Sequence, residues 1–293
     1  MPQDSHPYRS VLYMPGSRPR ALEKARTLAA DALILDLEDA VAPAEKANAR
    51  ELVATAVEGG GYGSRKLIVR VNGFDTAWGE ADIARAAQAQ PDAILLPKVE
   101  SPADVARAAL LMADAGAEER VRIWAMMETP RGALNALAIA DSHPRLEGFV
   151  LGTNDLVKDL GAAHTPDRLP LVASLGLCLL AARAAGLVCV DGVYNAFQDA
   201  EGLRAACVQG RDMGFDGKTL IHPDQLAIAN EVFAPSTEAV DLARRQVEAF
   251  EAATARGEGV AVVDGRIVEN LHVVTAKRLI GRAEAIAALE AAS

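Results

Sequence analysis

The feature that most constrains this chain is the alternation of short apolar runs with amphipathic stretches along most of its length. The runs are Val11–Met14, Leu33–Leu35, Leu67–Val71, Ala93–Leu96, Ile123–Met127, Phe149–Leu151, Leu187–Val190 and Thr219–Ile221. Each is nearly continuous, the pattern of a parallel strand buried on both faces. Helical spacing fills the intervals: Val105, Ala108, Ala109 and Met112 fall at i, i+3, i+4 and i+7, and Leu203, Ala206 and Cys207 repeat its start. Eight strands, seven crossovers and a helix after the last predict an α/β fold, a (β/α)8 TIM barrel. A doubly wound sheet is the alternative that strand number leaves open. At 293 residues and 51% apolar composition, the chain can bury a sizeable core.

The alternation stops near Pro235. A helix is expected over Thr237–Arg256, then a break at Gly257 and Gly259. Two β-rich runs within Val260–Val268, joined by Asp264-Gly265, read as a hairpin. An Ala-rich helix from Val273 to Ala291 closes the chain. The predicted organisation is a catalytic barrel over 1–235 and a C-terminal helical arm and lid over 236–293, the latter too small for a core of its own.

Charge and cysteine content narrow the function. With 30 Lys and Arg against 40 Asp and Glu, the net charge is −10, which argues against general nucleic-acid or membrane-surface binding. The first ten residues carry no apolar signal core, and the longest apolar stretch, Leu175–Val190, is broken by Arg183 and Gly186. Cys178, Cys189 and Cys207 form no CxxC pair and read as reduced thiols. A cytoplasmic protein is expected.

Polar residues gather just past nearly every predicted strand: Pro15-Gly16-Ser17-Arg18, Asp36-Leu37-Glu38-Asp39, Arg70-Val71-Asn72, Pro97-Lys98, Glu128-Thr129, Gly152-Thr153-Asn154-Asp155, Asp191-Gly192 and His222-Pro223. In a barrel these ends converge on one mouth. Glu128 and Asp155, on neighbouring strands with no paired His or Cys, suit a hard cation such as Mg²⁺; a salt bridge and a helix cap are their structural alternatives. Arg70 carries a fork suited to a carboxylate or enolate oxygen, or an ion pair with Glu38 or Asp39. Those two acids could instead hold metal-bound waters. Ser17 is a candidate N-cap, and Arg18 and Lys24 lie where a helix N-terminus could take an anion. Lys98 could form a Schiff base, or pair with Glu100 or Glu38. His222 stands alone and gives no metal spacing.

Taken together, RSVLYMPGSRPRALEKA, LILDLEDAVAPAEKANAR, IVRVNG, ILLPKVES, METPRGALN, LGTNDL and GKTLIHPDQLAIANEVFAPS resemble, in order, the citrate lyase β-subunit/malyl-CoA lyase family of CoA-ester lyases. The resemblance implies a barrel with a C-terminal lid and Mg²⁺-dependent retro-Claisen cleavage. The substrate would be a 3-hydroxyacyl-CoA of citramalyl or malyl type, giving acetyl-CoA and a 2-oxo acid. It implies Glu128 and Asp155 as metal ligands and Arg70, Asn154 and Asp155 at the substrate, with Glu38 and Asp39 beside them. Arg18, Lys24, Tyr13, Ile221 and His222 would contact the CoA portion. The family's lid carries an Asp, from a neighbouring subunit, that acts as acid or base. The matching position here is Glu269, one methylene longer, after Gly265-Arg266-Ile267-Val268. A homotrimer or hexamer follows from the same resemblance. If water enters, a malyl-CoA thioesterase is the alternative; a citryl-CoA lyase subunit and the Lys98 Schiff-base aldolase are two more.

Overall fold

The computed structural model describes residues 6–291. Its strands are β1 Ser10–Pro15, β2 Ala32–Asp36, β3 Lys66–Arg70, β4 Ala93–Leu96, β5 Arg122–Met127, β6 Leu146–Leu151, β7 Val188–Asp191 and β8 Gly217–Leu220. They close in sequence order, each neighbour parallel, with β1 returning to β8. The chain is therefore a (β/α)8 TIM barrel. Between and after the strands run α1 Pro19–Ala25, α2 Lys46–Gly59, α3 Gly79–Ala89, α4 Pro102–Asp114, α5 Pro130–Leu134, α6 Ala136–Ala140, α7 Thr153–Leu160, α8 Val172–Ala185, α9 Ala200–Met213 and α10 Leu226–Phe233.

Strand residues point alternately in and out, so one apolar run serves two cores. Val11, Ala32, Ile34, Ile68, Ala93, Leu95, Trp124, Met126, Val150 and Val190 fill the barrel. Leu12, Leu33, Leu35, Val69, Ile94, Leu96, Ala125 and Phe149 face the helices. Trp124 is fully buried and tilts against Tyr8 with ring centroids 5.1 Å apart. Gly148 makes room for it: a Cβ there would lie 2.7 Å from the indole.

Two compact units are distinguished, Tyr8–Phe233 and a second built from Ala234 onward. The second holds α11 Thr237–Ala255, an antiparallel hairpin of β9 Ala261–Val263 and β10 Arg266–Val268, and α12 Asn270–Ala291. Asp264 and Gly265 both take positive φ, 49° and 74°, as a tight hairpin turn requires. Ala253, Ala261, Val268 and Val273 form this unit's own small core. The final helix begins three residues earlier than its apolar pattern predicts, at Asn270. Among the described residues no helix is long and apolar enough to cross a membrane.

Candidate active site at the barrel mouth

The inward register that fills the barrel continues past its apolar layers. Two residues beyond Val11 stands Tyr13; beyond Ile34, Asp36; beyond Ile68, Arg70; beyond Trp124, Met126 and then Glu128. These side chains meet at the C-terminal mouth. They line a cavity of about 300 Å³ with Asp39, Ala40, Leu151, Gly152, Thr153, Asn154, Asp155, Val193, Asn195, Thr219 and Ile221.

Arg70 is the centre of its electrostatics. Its Nε and Nη2 donate to the two carboxylate oxygens of Asp36, both at 2.7 Å. Its Nη1 lies 2.6 Å from Glu38 Oε2 and 3.4 Å from Asp39 Oδ2. The guanidinium also stacks over Tyr13, 4.8 Å from the ring centroid. Burial alone would favour losing the charge, but Asp36, Tyr13 and Glu38 together hold Arg70 well above its ordinary range. Both sequence alternatives for Arg70 are thus partly met: it is an ion-pair centre, and it faces the cavity. Asp36, its bidentate partner, carried no assigned role in the sequence. Its signal was register: a charged residue two positions past Ile34 has to point inward.

Glu38 sits under Arg70, where burial and the carboxylates of Asp39 and Asp36 outweigh the guanidinium and push its pKa to about 7. Its loop is held from below. Lys46, only 6% exposed, donates from Nζ to Leu37 O (2.9 Å), Glu38 O (2.8 Å) and Asn72 Oδ1 (2.7 Å). Asn72 in turn donates to Leu37 O (2.9 Å) and to Asp82, which Arg50 anchors at 2.6 Å.

Glu128 follows β5 and is 2% exposed. Burial first, then the neighbouring Glu38 and Asp155 carboxylates, raise its pKa to about 8 against the Lys98 N–H, which donates to Oε1 at 2.7 Å. Lys98 takes a left-handed φ of 49°. Gly152 leaves space for the carboxylate: a Cβ there would lie 2.5 Å from Glu128 Oε2. Asp155 lies in the first turn of α7, half-buried, 3.6 Å from the exposed Lys158 ammonium. The mouth therefore gathers Asp36, Glu38, Asp39, Glu128 and Asp155 against Arg70 and Lys98. Such an excess of oxygen donors with no His or Cys fits a hard divalent cation. Among the described residues no group of three or more metal-ligating side chains is preformed. Two carboxylates with the balance from water and substrate oxygens is the arrangement Mg²⁺ accepts.

Other predicted residues stand further out. Arg18 and Lys24 lie at α1, exposed and outside the cavity lining. Arg18, not Ser17, occupies the N-cap position of α1, and no side chain caps it. Ile221 lines the cavity, whereas His222 caps the turn after β8 by accepting from Asp224 N and stacks on Phe197 with centroids 4.7 Å apart. Asp191, at a strand end, turns away: it is buried against Lys218 (2.8 Å) and Arg168 (2.6 Å). Glu269 belongs to the C-terminal unit, exposed just before α12, where its N–H donates to His272 Nδ1 at 2.9 Å. Asn195, which lines the cavity, was missed because nothing around it in sequence is periodic.

The HpcH/HpaI aldolase/citrate lyase family matches residues 9–223. This chain belongs to that family. Family members compare with it over nearly their whole lengths. A (3S)-malyl-CoA thioesterase of Cereibacter sphaeroides is 62% identical over 291 residues, 99% of this chain and 100% of the relative. An L-malyl-CoA/beta-methylmalyl-CoA lyase of the same species is 37% identical, with 97% of each chain covered. The solved CitE protein of Mycobacterium tuberculosis in complex with magnesium, acetoacetate and coenzyme A superposes with a TM-score of 0.76 at 30% identity, covering 96% of this chain and 99% of that one.

The family is enzymatic, but the expected carbon–carbon lyase is corrected by these identities: the thioesterase relative is far nearer than the lyase. The physical reason the sequence misled is that both reactions begin from one bound 3-hydroxyacyl thioester, so the motifs that bind it do not separate them. The Schiff-base alternative is opposed by Lys98 itself. Burial would lower its pKa, but Glu38, Asp75, Glu128 and Asp155 raise it, whereas a Schiff-base lysine needs a neutral amine.

Proposed function

We propose that this chain hydrolyses the thioester of a (3S)-malyl-CoA-type 3-hydroxyacyl-CoA, releasing CoA and the hydroxy acid, with Mg²⁺ as cofactor. The observation that carries the reading is the 62% identity, over 99% of the chain, with a (3S)-malyl-CoA thioesterase. The cavity supports it by supplying a carboxylate pair and a buried guanidinium in one mouth.

Glu128 and Asp155 would hold the cation, and Gly152 keeps the Glu128 carboxylate in place. When bound, Mg²⁺ supplies Lewis-acid polarisation and a template for the substrate's oxygens. Arg70, locked by Asp36 and Glu38, presents fixed positive charge where negative charge builds on the thioester oxygen, at no cost in reorganisation. Asp39 flanks it on the open side. Arg18 and Lys24 are assigned to the CoA phosphates and Tyr13, Ile221 and His222 to the thioester arm, with Asn154 at the acyl group. Glu269 is assigned as the acid or base brought by the C-terminal unit, which we take as a lid over residues 236–293. A homo-oligomer, trimeric or hexameric, is part of this reading. Leu134, Leu137 and Leu180, on α5, α6 and α8, are 79%, 54% and 70% exposed, apolar side chains that a second copy could cover.

The test is product analysis. Purified protein with (3S)-malyl-CoA and Mg²⁺ is expected to release free thiol and malate in equal amounts, and excess EDTA to abolish it. Acetyl-CoA and a 2-oxo acid as the products would overturn the reading.

A further inference from the structure

Hydrolysis demands something that cleavage does not: a water held against the thioester carbon. Most polar groups in the cavity are already committed. Arg70 is anchored by Asp36, Glu38 and Asp39, and its charge is already assigned to the thioester oxygen. Thr219 Oγ1 donates to Asp191 O at 3.0 Å, and the Tyr13 hydroxyl meets Met126 Sδ at 4.0 Å. A pair of carboxamides keeps spare donors and acceptors. Asn195 Nδ2 donates to Asn154 Oδ1 at 2.8 Å, and Asn154 Nδ2 donates back to Asn195 Oδ1 at 3.3 Å. An amide has two N–H donors and two acceptor lone pairs. The reciprocal bonds use one of each per residue and leave one of each on both, next to Asp155 and on the cavity wall.

The segment carrying Asn195 is pinned on both sides. Gln225 is fully buried; its Oε1 accepts from Ile221 N (2.9 Å) and His222 N (3.2 Å), while its Nε2 donates to Tyr194 O at 2.9 Å. Tyr194 Oη donates to Asp199 at 2.6 Å, and Asp199 caps α9 through Gly202 N at 2.9 Å. A neutral donor–acceptor pair at a fixed position is the complement of a water molecule, not of a carboxylate.

We propose that Asn195, paired with Asn154, is the positioning residue that holds the attacking water. The proposal rests on the hydrolase reading. In the step, the water oxygen bonds to the thioester carbonyl carbon and the carbon–sulfur bond breaks. The proton that water loses ends on the departing sulfur, so that acid and CoA thiol are the only products.

The experiment compares wild type with Asn195→Ala and Asn195→Ser on (3S)-malyl-CoA, with and without hydroxylamine as a competing nucleophile. For Asn195→Ala, kcat for thiol release is expected to fall by ~30-fold or more with KM nearly unchanged. With hydroxylamine's direct reaction with the thioester subtracted from enzyme-free controls, enzyme-dependent thiol release is expected to recover, and the enzyme-dependent hydroxamate-to-acid ratio to rise at least ~10-fold above wild type. Asn195→Ser, which keeps one donor and one acceptor, should lie between. A raised KM at unchanged kcat would assign Asn195 to acyl binding, and an unchanged hydroxamate-to-acid ratio would show that water placement is not its role; either overturns the proposal alone. Wild type producing acetyl-CoA in place of free thiol would remove the hydrolase reading and the proposal with it.

Discussion

Gly152 and Glu128 act as one unit. The glycine's missing Cβ is space that the Glu128 side chain fills, from its own Cβ to the carboxylate, whose Oε2 lies 2.5 Å from where that atom would stand. Gly152→Ala should therefore displace the carboxylate without removing it. Mg²⁺ affinity is expected to fall by ~10–100-fold, as for other groups that orient a ligand, and titration calorimetry would register it. Glu128→Gln removes the charge and should lower kcat/KM by ~100-fold or more, with melting temperature kept or raised, because burial opposes the ionised form there. Arg70→Lys is not conservative at this site. A lysine cannot replace a fork that spans both Asp36 oxygens while reaching Glu38. Hydrolysis should drop by a similar ~100-fold, and a silent Arg70→Lys would refute the electrostatic role given to the fork. Most of these positions were legible because period two carries each strand's inward face on to its polar end. Asn195 was not, since it lies on an irregular connection whose place is set by the buried Gln225, thirty residues later in the chain.

Single elements show where sequence patterns stop. The eight strands were visible as apolar runs, since a barrel strand buries both faces and tolerates little polarity. Their ends shifted by one to three residues, as in β6, which starts at Leu146, and β7, which extends to Asp191. That residue looked like part of the mouth because it ends a strand, but Val190 before it faces the barrel interior, so period two turns Asp191 outward. It packs instead against α9, where a Cβ on Gly210 would lie 2.9 Å from its carboxylate. Burial there would raise its pKa, yet Lys218 and Arg168 prevail and hold it below the ordinary carboxylate value. A depressed folded-state pKa adds stability above the unfolded value, about 4, and that stability is lost as pH falls through the folded value. Asp191→Asn leaves the buried Lys218 ammonium, and the half-buried Arg168 guanidinium, without a counter-charge and should cost about 3–5 kcal/mol at neutral pH. Urea denaturation against pH should show the wild-type advantage shrinking below about pH 4. A difference independent of pH would mean that packing, not charge, is what the variant loses.

At the scale of the whole molecule, the proposed roles fall on two units. The barrel carries Arg70, Glu128 and Asp155, and the C-terminal unit carries Glu269, exposed at the head of α12. A lone exposed carboxylate has no means of activating anything in solvent, so its assigned role requires a closed site that excludes water other than the one consumed. Glu269→Gln should thus bind substrate with KM near wild type and lose kcat, while Glu128→Gln loses Mg²⁺ affinity and leaves the lid intact. If the lid serves a neighbouring subunit, the two defects lie on different polypeptides of one site. Mixing the two inactive variants and allowing subunits to exchange should then form sites with an intact barrel from one chain and an intact Glu269 from another. Activity is expected to reappear on mixing and to grow with exchange time. A mixture that stays inactive, while light scattering shows exchanged oligomers, would place Glu269 over its own barrel and confine catalysis to a single chain.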